Sequence, residues 1–191
     1  NAIVGDDVFH EDPTVKALEE YTAQLFGTEA ALYCTSGTQT NQIAINVHTR
    51  PGDEVICSNL AHIYIYEGGG IALNSGSSVR LIEGPRGMFT AEQVKANINN
   101  RADVHLPNTS LVCTEDTVNK GGGAIWDFSE ILKIQEVCKA NGMALHCDGA
   151  RLFNALEETK MTPAEYAKAY DSISVCLSKG LSAPVGSFLV G

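Results

Sequence analysis

Two residues in the C-terminal half of the chain carry its first chemical signal. Asp148, in Leu145-His-Cys-Asp-Gly-Ala-Arg151, and Lys179, in Ser174-Val-Cys-Leu-Ser-Lys-Gly-Leu181, each follow a short apolar run that reads as a buried strand. A lysine ending such a strand can be desolvated and made nucleophilic, the condition for condensing with an aldehyde. An acidic residue at an upstream strand end suits a pyridinium nitrogen that must stay protonated. Together the pair points to pyridoxal 5′-phosphate, with Lys179 bonding the aldehyde and Asp148 facing the ring nitrogen.

Three further motifs fit around that pair. Ser36-Gly37-Thr38 follows one predicted strand and opens a predicted helix, so its N–H groups and hydroxyls would face an anion at the positive end of the helix dipole. By themselves the same residues are more often an ordinary helix cap after a tight turn. Arg151 could hold the ring's phenolic oxygen, a substrate carboxylate, or both, through its planar fork of donors, or could form a plain loop ion pair with Asp148. His62 could stack on a flat cofactor face while keeping a ring nitrogen for proton transfer, although a lone histidine more often has a structural role. Gly68-Gly-Gly70 and Gly121-Gly-Gly123 lack the G-x-G-x-x-G spacing of a nicotinamide site, and no G-x-S-x-G elbow occurs. The compact run His10-Glu11-Asp12 directly precedes a predicted helix and reads as capping rather than metal ligation.

Composition narrows the class. The 191 residues suffice for one domain with a proper core, 44% hydrophobic and 19% charged, as in an ordinary globular chain. A net charge of −10 argues against nucleic acid as a partner, because neutralising phosphates requires clustered Lys and Arg. No apolar run approaches the ~20 residues needed to span a bilayer, so no membrane partner is expected. Six cysteines without C-x-x-C spacing read as reduced core thiols, which fits a reducing compartment such as the cytoplasm.

The elements that must position these residues alternate along the whole chain, the pattern of an α/β sheet with crossover helices. Helices are predicted from Asp12-Pro13 to Gly27, after residues 36–38, and over residues 90–98, 128–140 and 163–169. Strands are predicted at residues 30–34, 54–57, 79–82, 110–113, 143–147, 173–177 and 187–191. In open α/β sheets ligands bind beyond the carboxyl ends of strands, which would bring residues 36–38, His62, residues 115–119, 148–151 and Lys179 to one edge. Asn1 opens in mid-motif and residues 187–191 read as a strand with nothing after it, so the chain is expected to be incomplete at both ends.

Val4-Gly-Asp-Asp-Val8, Glu11-Asp-Pro-Thr-Val15, Ser36-Gly-Thr-Gln39 with Asn41, Ala61-His62, residues 115–123, His146-Cys-Asp-Gly-Ala-Arg-Leu-Phe-Asn154, and Ser174-Val-Cys-Leu-Ser-Lys-Gly-Leu181 with Ala183-Pro-Val-Gly186 resemble the threonine aldolase family in order and spacing. That family belongs to the beta-eliminating lyase branch of the fold type I pyridoxal-phosphate enzymes. The resemblance implies residues 1–191 as a three-layer, mostly parallel cofactor-binding large domain of the aspartate aminotransferase type, without its small C-terminal domain. It implies cleavage of threonine-type β-hydroxy amino acids to glycine and an aldehyde, in a homodimer or homotetramer. Lys179 then bonds the cofactor, Asp148 meets the ring nitrogen, and Arg151 lies near the cofactor oxygen and substrate carboxylate. Gly37 and Thr38, beside Ser36, meet the phosphate, and His62 stacks on the ring and is the remaining candidate for the base.

Two departures bear on the reaction. Glu115-Asp-Thr-Val-Asn119 stands where the family often reads Glu-Asn-Thr-His-Asn, and Phe9 stands where many relatives carry tyrosine. Valine offers no hydrogen bond, so both changes are expected to make the side-chain pocket more apolar. They keep open two other readings: an alanine racemase or β-eliminating lyase on the same cofactor, and a non-catalytic cofactor-binding fragment.

Overall fold

Seven strands form one sheet in the computed structural model, which describes residues 2–191. They are β1 (Ala31–Cys34), β2 (Glu54–Ser58), β3 (Ser78–Ile82), β4 (Thr109–Glu115), β5 (Ala144–Gly149), β6 (Ser172–Cys176) and β7 (Ser187–Val190), arranged β1-β7-β6-β5-β4-β2-β3. The run from β3 to β6 is parallel, while β7 lies antiparallel to both β6 and β1. That reversal needs only a short connection. It closes at Gly186, whose φ of 109° suits glycine and where a Cβ would stand 2.7 Å from the Tyr33 ring.

The helices are α1 (Pro13–Phe26), α2 (Gly37–His48), α3 (His62–Ile65), α4 (Gly70–Ser75), α5 (Ala91–Ala96), α6 (Phe128–Ala140), α7 (Leu152–Thr159) and α8 (Pro163–Ala167). Local chemistry sets their ends. The Asp12 carboxylate accepts from the N–H groups of Thr14 and Val15 to start α1, and Gly27 stops it in the left-handed region at φ 65°. Asp127 caps α6 in the same way at Ser129.

Period-two alternation splits the core into two layers around the sheet. Val55 and Cys57 of β2 and Leu111 and Cys113 of β4 pack with Ile45, Ile63 and Ile71 from α2, α3 and α4. Ile56, Val112, Leu145, Cys147, Ile173 and Val175 point the other way, among Phe26, Ile131, Ile134 and Leu152 from α1, α6 and α7. The result is the expected three-layer α/β domain. On β5 and β6 the alternation has a second consequence: the residues facing α2 are polar, namely His146 and Asp148, Ser172 and Ser174, and all four are buried.

The sequence reading misses α3, α4 and α7. The first two span four and six residues, too short to display a 3.6-residue period, and α7 begins at Arg151 without a side-chain cap. It also runs the last parallel strand to residue 177, whereas β6 ends at Cys176 and Lys179 lies in the loop beyond it. All six cysteines are free and buried, as expected of core thiols.

Candidate active site

Three strand ends and one helix start meet in a cavity of about 240 Å³. Ser36, Gly37, Thr38, His62, Asp148 and Lys179 all line it, joined by Asn41 and Glu67. Arg151 does not line it; the residue is half-buried and, among the described residues, its side chain meets no acceptor.

The start of α2 is held close to the end of β6. A Cβ on Gly37 would lie 2.6 Å from Cys176 Sγ, so only glycine lets the helix terminus approach this far. Ser36 Oγ caps the helix by accepting from the Gln39 N–H at 3.2 Å. The N–H groups of Gly37 and Thr38 have no acceptor among the described residues, and both residues line the cavity at the positive end of the helix dipole.

Asp148, at the end of β5, is only 2% exposed. Its Oδ1 accepts from the Ala150 N–H at 3.2 Å, while Oδ2 is buried without a partner. Burial, reinforced by the Glu115 and Glu67 carboxylates and opposed by His62 and Lys179, pushes this carboxyl up to about 6. A buried oxygen of this kind is costly unless a donor from outside the chain completes it.

His62 opens α3. Its backbone N–H donates to Glu115 Oε2 at 2.8 Å, and Glu115 Oε1 accepts from the Asn119 N–H at 2.9 Å, so one buried carboxylate ties α3 to the loop after β4. The His62 ring meets Glu67 Oε1 through Nδ1 at 3.3 Å. That hydrogen bond, outweighing burial and aided by Asp148, raises the imidazole above its usual value. With Nδ1–H directed at Glu67, Nε2 is the free ring nitrogen. Ligand-capable atoms of His62, Glu67 and Asp148 fall within 4.8 Å of one another. They could also hold a metal ion, but Nδ1 is already engaged.

Glu67 is the site residue that sequence reasoning missed. Its signal was weak: a lone glutamate five residues beyond His62, directly before Gly68-Gly-Gly70. The expected apolar pocket is not observed. Val118 pairs with Ala124 in a tight hairpin, which turns its side chain into the core against Gly87 and Gly121, and Phe9 is 71% exposed. The cavity wall is instead polar, from Ser36 and Thr38 to Asn41 and Glu67.

A helix start, a carboxylate with an unpartnered buried oxygen and a lysine from the loop after β6 thus share one cavity of this α/β domain. The chain belongs to the beta-eliminating lyase family, whose model matches residues 1–191. Within it the chain is similar to threonine aldolases: 43% identical to a probable low-specificity L-threonine aldolase of Schizosaccharomyces pombe, over 98% of this chain and 50% of that protein. It is 42% identical to low-specificity L-threonine aldolase 1 of Arabidopsis thaliana, over 100% of this chain and 54% of that one. Among solved structures, a threonine aldolase of Leishmania major superposes with a TM-score of 0.85 at 27% identity, covering 94% of this chain and 53% of its own. The chain thus spans about half the length of the curated relatives it matches. No helix among the described residues is long and apolar enough to cross a membrane.

Proposed function

We propose that residues 1–191 form the cofactor-binding large domain of a pyridoxal-phosphate-dependent aldolase that cleaves threonine-type β-hydroxy amino acids to glycine and an aldehyde. The observation that carries this reading is Asp148 Oδ2, buried and unpartnered in a cavity that also holds a lysine and a helix start. Its natural complement is a ring N–H. The residues fit the rest of the group: the N–H groups of Gly37 and Thr38, with the Thr38 hydroxyl and the Ser36 turn, suit a phosphate, and His62 suits the ring face. Lys179, the one lysine lining the cavity, is the amine for the aldehyde. When bound, pyridoxal 5′-phosphate supplies an electron sink for the pair left at Cα.

The chain's own residues do the remainder. Glu67 holds a proton on His62 Nδ1, which leaves Nε2 as the acceptor for the substrate β-hydroxyl proton. Arg151, three residues past Asp148 and without a partner among the described residues, is the candidate for the substrate carboxylate. The names of the relatives support the aldolase reading over racemase or β-elimination. Six free thiols support a reducing compartment such as the cytoplasm, and the family resemblance supports a homodimer or homotetramer.

Replacing Lys179 with Ala should abolish the visible absorbance of lysine-bound cofactor and lower acetaldehyde release from threonine by more than roughly three orders of magnitude. Wild-type turnover in that variant would overturn the assignment.

A further inference from the structure

A file of hydrogen-bonded side chains runs through the layer between α2 and the sheet and ends on His62. His48 Nε2 lies 2.8 Å from Ser172 Oγ, and Ser172 Oγ lies 2.9 Å from His146 Nδ1. His146 Nε2 is 3.1 Å from Asn41 Oδ1, Asn41 Nδ2 donates to Glu67 Oε1 at 2.9 Å, and the same oxygen faces His62 Nδ1. Ser172, His146, Asn41 and Glu67 are all buried, and the ends at His48 and His62 are half-buried.

The donors and acceptors fix the sense of this file. An ionised Glu67 only accepts, so Asn41 must turn its NH2 toward Glu67 and its carbonyl toward His146. His146 must then carry its proton on Nε2. Nδ1 is left bare to accept from the Ser172 hydroxyl, whose oxygen accepts in turn from His48 Nε2–H. The opposite arrangement is also available: His146 protonated on Nδ1 could donate to the Ser172 carbonyl at 3.1 Å. It would reverse the Asn41 amide and set a carbonyl against Glu67, a contact that only a protonated Glu67 tolerates. The tautomer of His146 and the charge of Glu67 are therefore one choice.

We propose that His146 is a positioning residue for His62: by donating Nε2–H to Asn41 it keeps the Asn41 NH2 turned to Glu67 Oε1, and so fixes the His62 proton on Nδ1. This rests on the reading of His62 as the base in the cofactor cavity. Burial first, and His48 second, press the His146 imidazole down to about 3, so it stays neutral and its tautomer is the freedom that remains. The groups facing Glu67 are His62, Asp148, Asn41 and Gln42, whose Nε2 donates at 2.6 Å; those facing His62 are Glu67, Asp148 and Lys179, with Glu115 at its backbone. Among the described residues, His48 is the titratable group that acts on His146.

The test is an NMR titration of the His62 ring in the full chain with cofactor removed, assigned with His62→Asn. His146→Leu should lower the His62 pKa by roughly half a unit or more and weaken its preference for the Nδ1–H tautomer. His146→Gln, which can present an NH2 to Asn41, should restore much of both. Asn41→Ser breaks the same file from the helix side and should shift His62 in the same direction, which covers the case of a His146→Leu chain that does not fold. In the cofactor-loaded enzyme the acid limb of kcat/KM should move to lower pH by the same amount. An unchanged His62 pKa and tautomer in either folded variant overturns the proposal. Because the titration needs no cofactor, its failure is distinguishable from wild-type turnover in the Lys179→Ala variant, which would overturn the aldolase reading alone.

Discussion

Asp116 shows how far one carboxyl in this fold departs from its ordinary behaviour. It follows Glu115 at the end of β4, is 1% exposed, and accepts from the Tyr166 hydroxyl at 2.7 Å through Oδ2, while Oδ1 has no partner. Burial pushes it up to about 7, against the pull of Tyr166. In the unfolded chain it titrates near the ordinary value of ~3.9. Its contribution to stability is thus full below about pH 4 and is lost as pH rises through 7, up to roughly 4 kcal/mol. Asp116→Asn removes that loss, so urea denaturation should show the variant gaining on the wild type between pH 4 and pH 8. An equal difference at both pH values would contradict it. The residues legible in the sequence were those whose type announced their chemistry: Lys179, Asp148, His62 and the Ser36 turn. Glu67 was not, because only neighbours distant in the chain bury a glutamate here and set it against His62.

At the level of elements, the contact between α2 and β6 decides the shape of the cavity where α2 starts. Gly37→Ala forces a Cβ against Cys176 Sγ, and overpacking of this kind costs about 1–3 kcal/mol. Thermal denaturation without cofactor should register that loss, and Cys176→Ala in the same chain should recover part of it; a Gly37→Ala chain as stable as wild type would refute the close approach. Helices with long periodic faces and clear caps were readable, as α1 and α6 show. The short α3, which presents His62, was not, because four residues carry no period. Nor was the polar face of β5 and β6: both strands read as buried and apolar, and only pairing with α2 turns His146 and Ser172 into a hydrogen-bonded layer.

For the molecule as a whole, burial governs thiol chemistry. All six cysteines are buried, and desolvation pushes Cys57 and Cys138 up to about 12. The native chain should therefore leave its thiols unmodified by a small disulfide reagent over minutes, with all six reacting once denaturant is added; rapid stoichiometric labelling of the folded chain would contradict the packing. By itself the sequence determined the class of sheet, the strand-end residues and the family, since alternation, capping and motif spacing are local properties that survive without coordinates. The tertiary structure alone decided that Arg151 stands outside the cavity, that Val118 faces the core, that β7 reverses, and that Glu67 reaches His62. Each of these depends on which face of an element meets which neighbour, and that is set by packing between segments far apart in the chain.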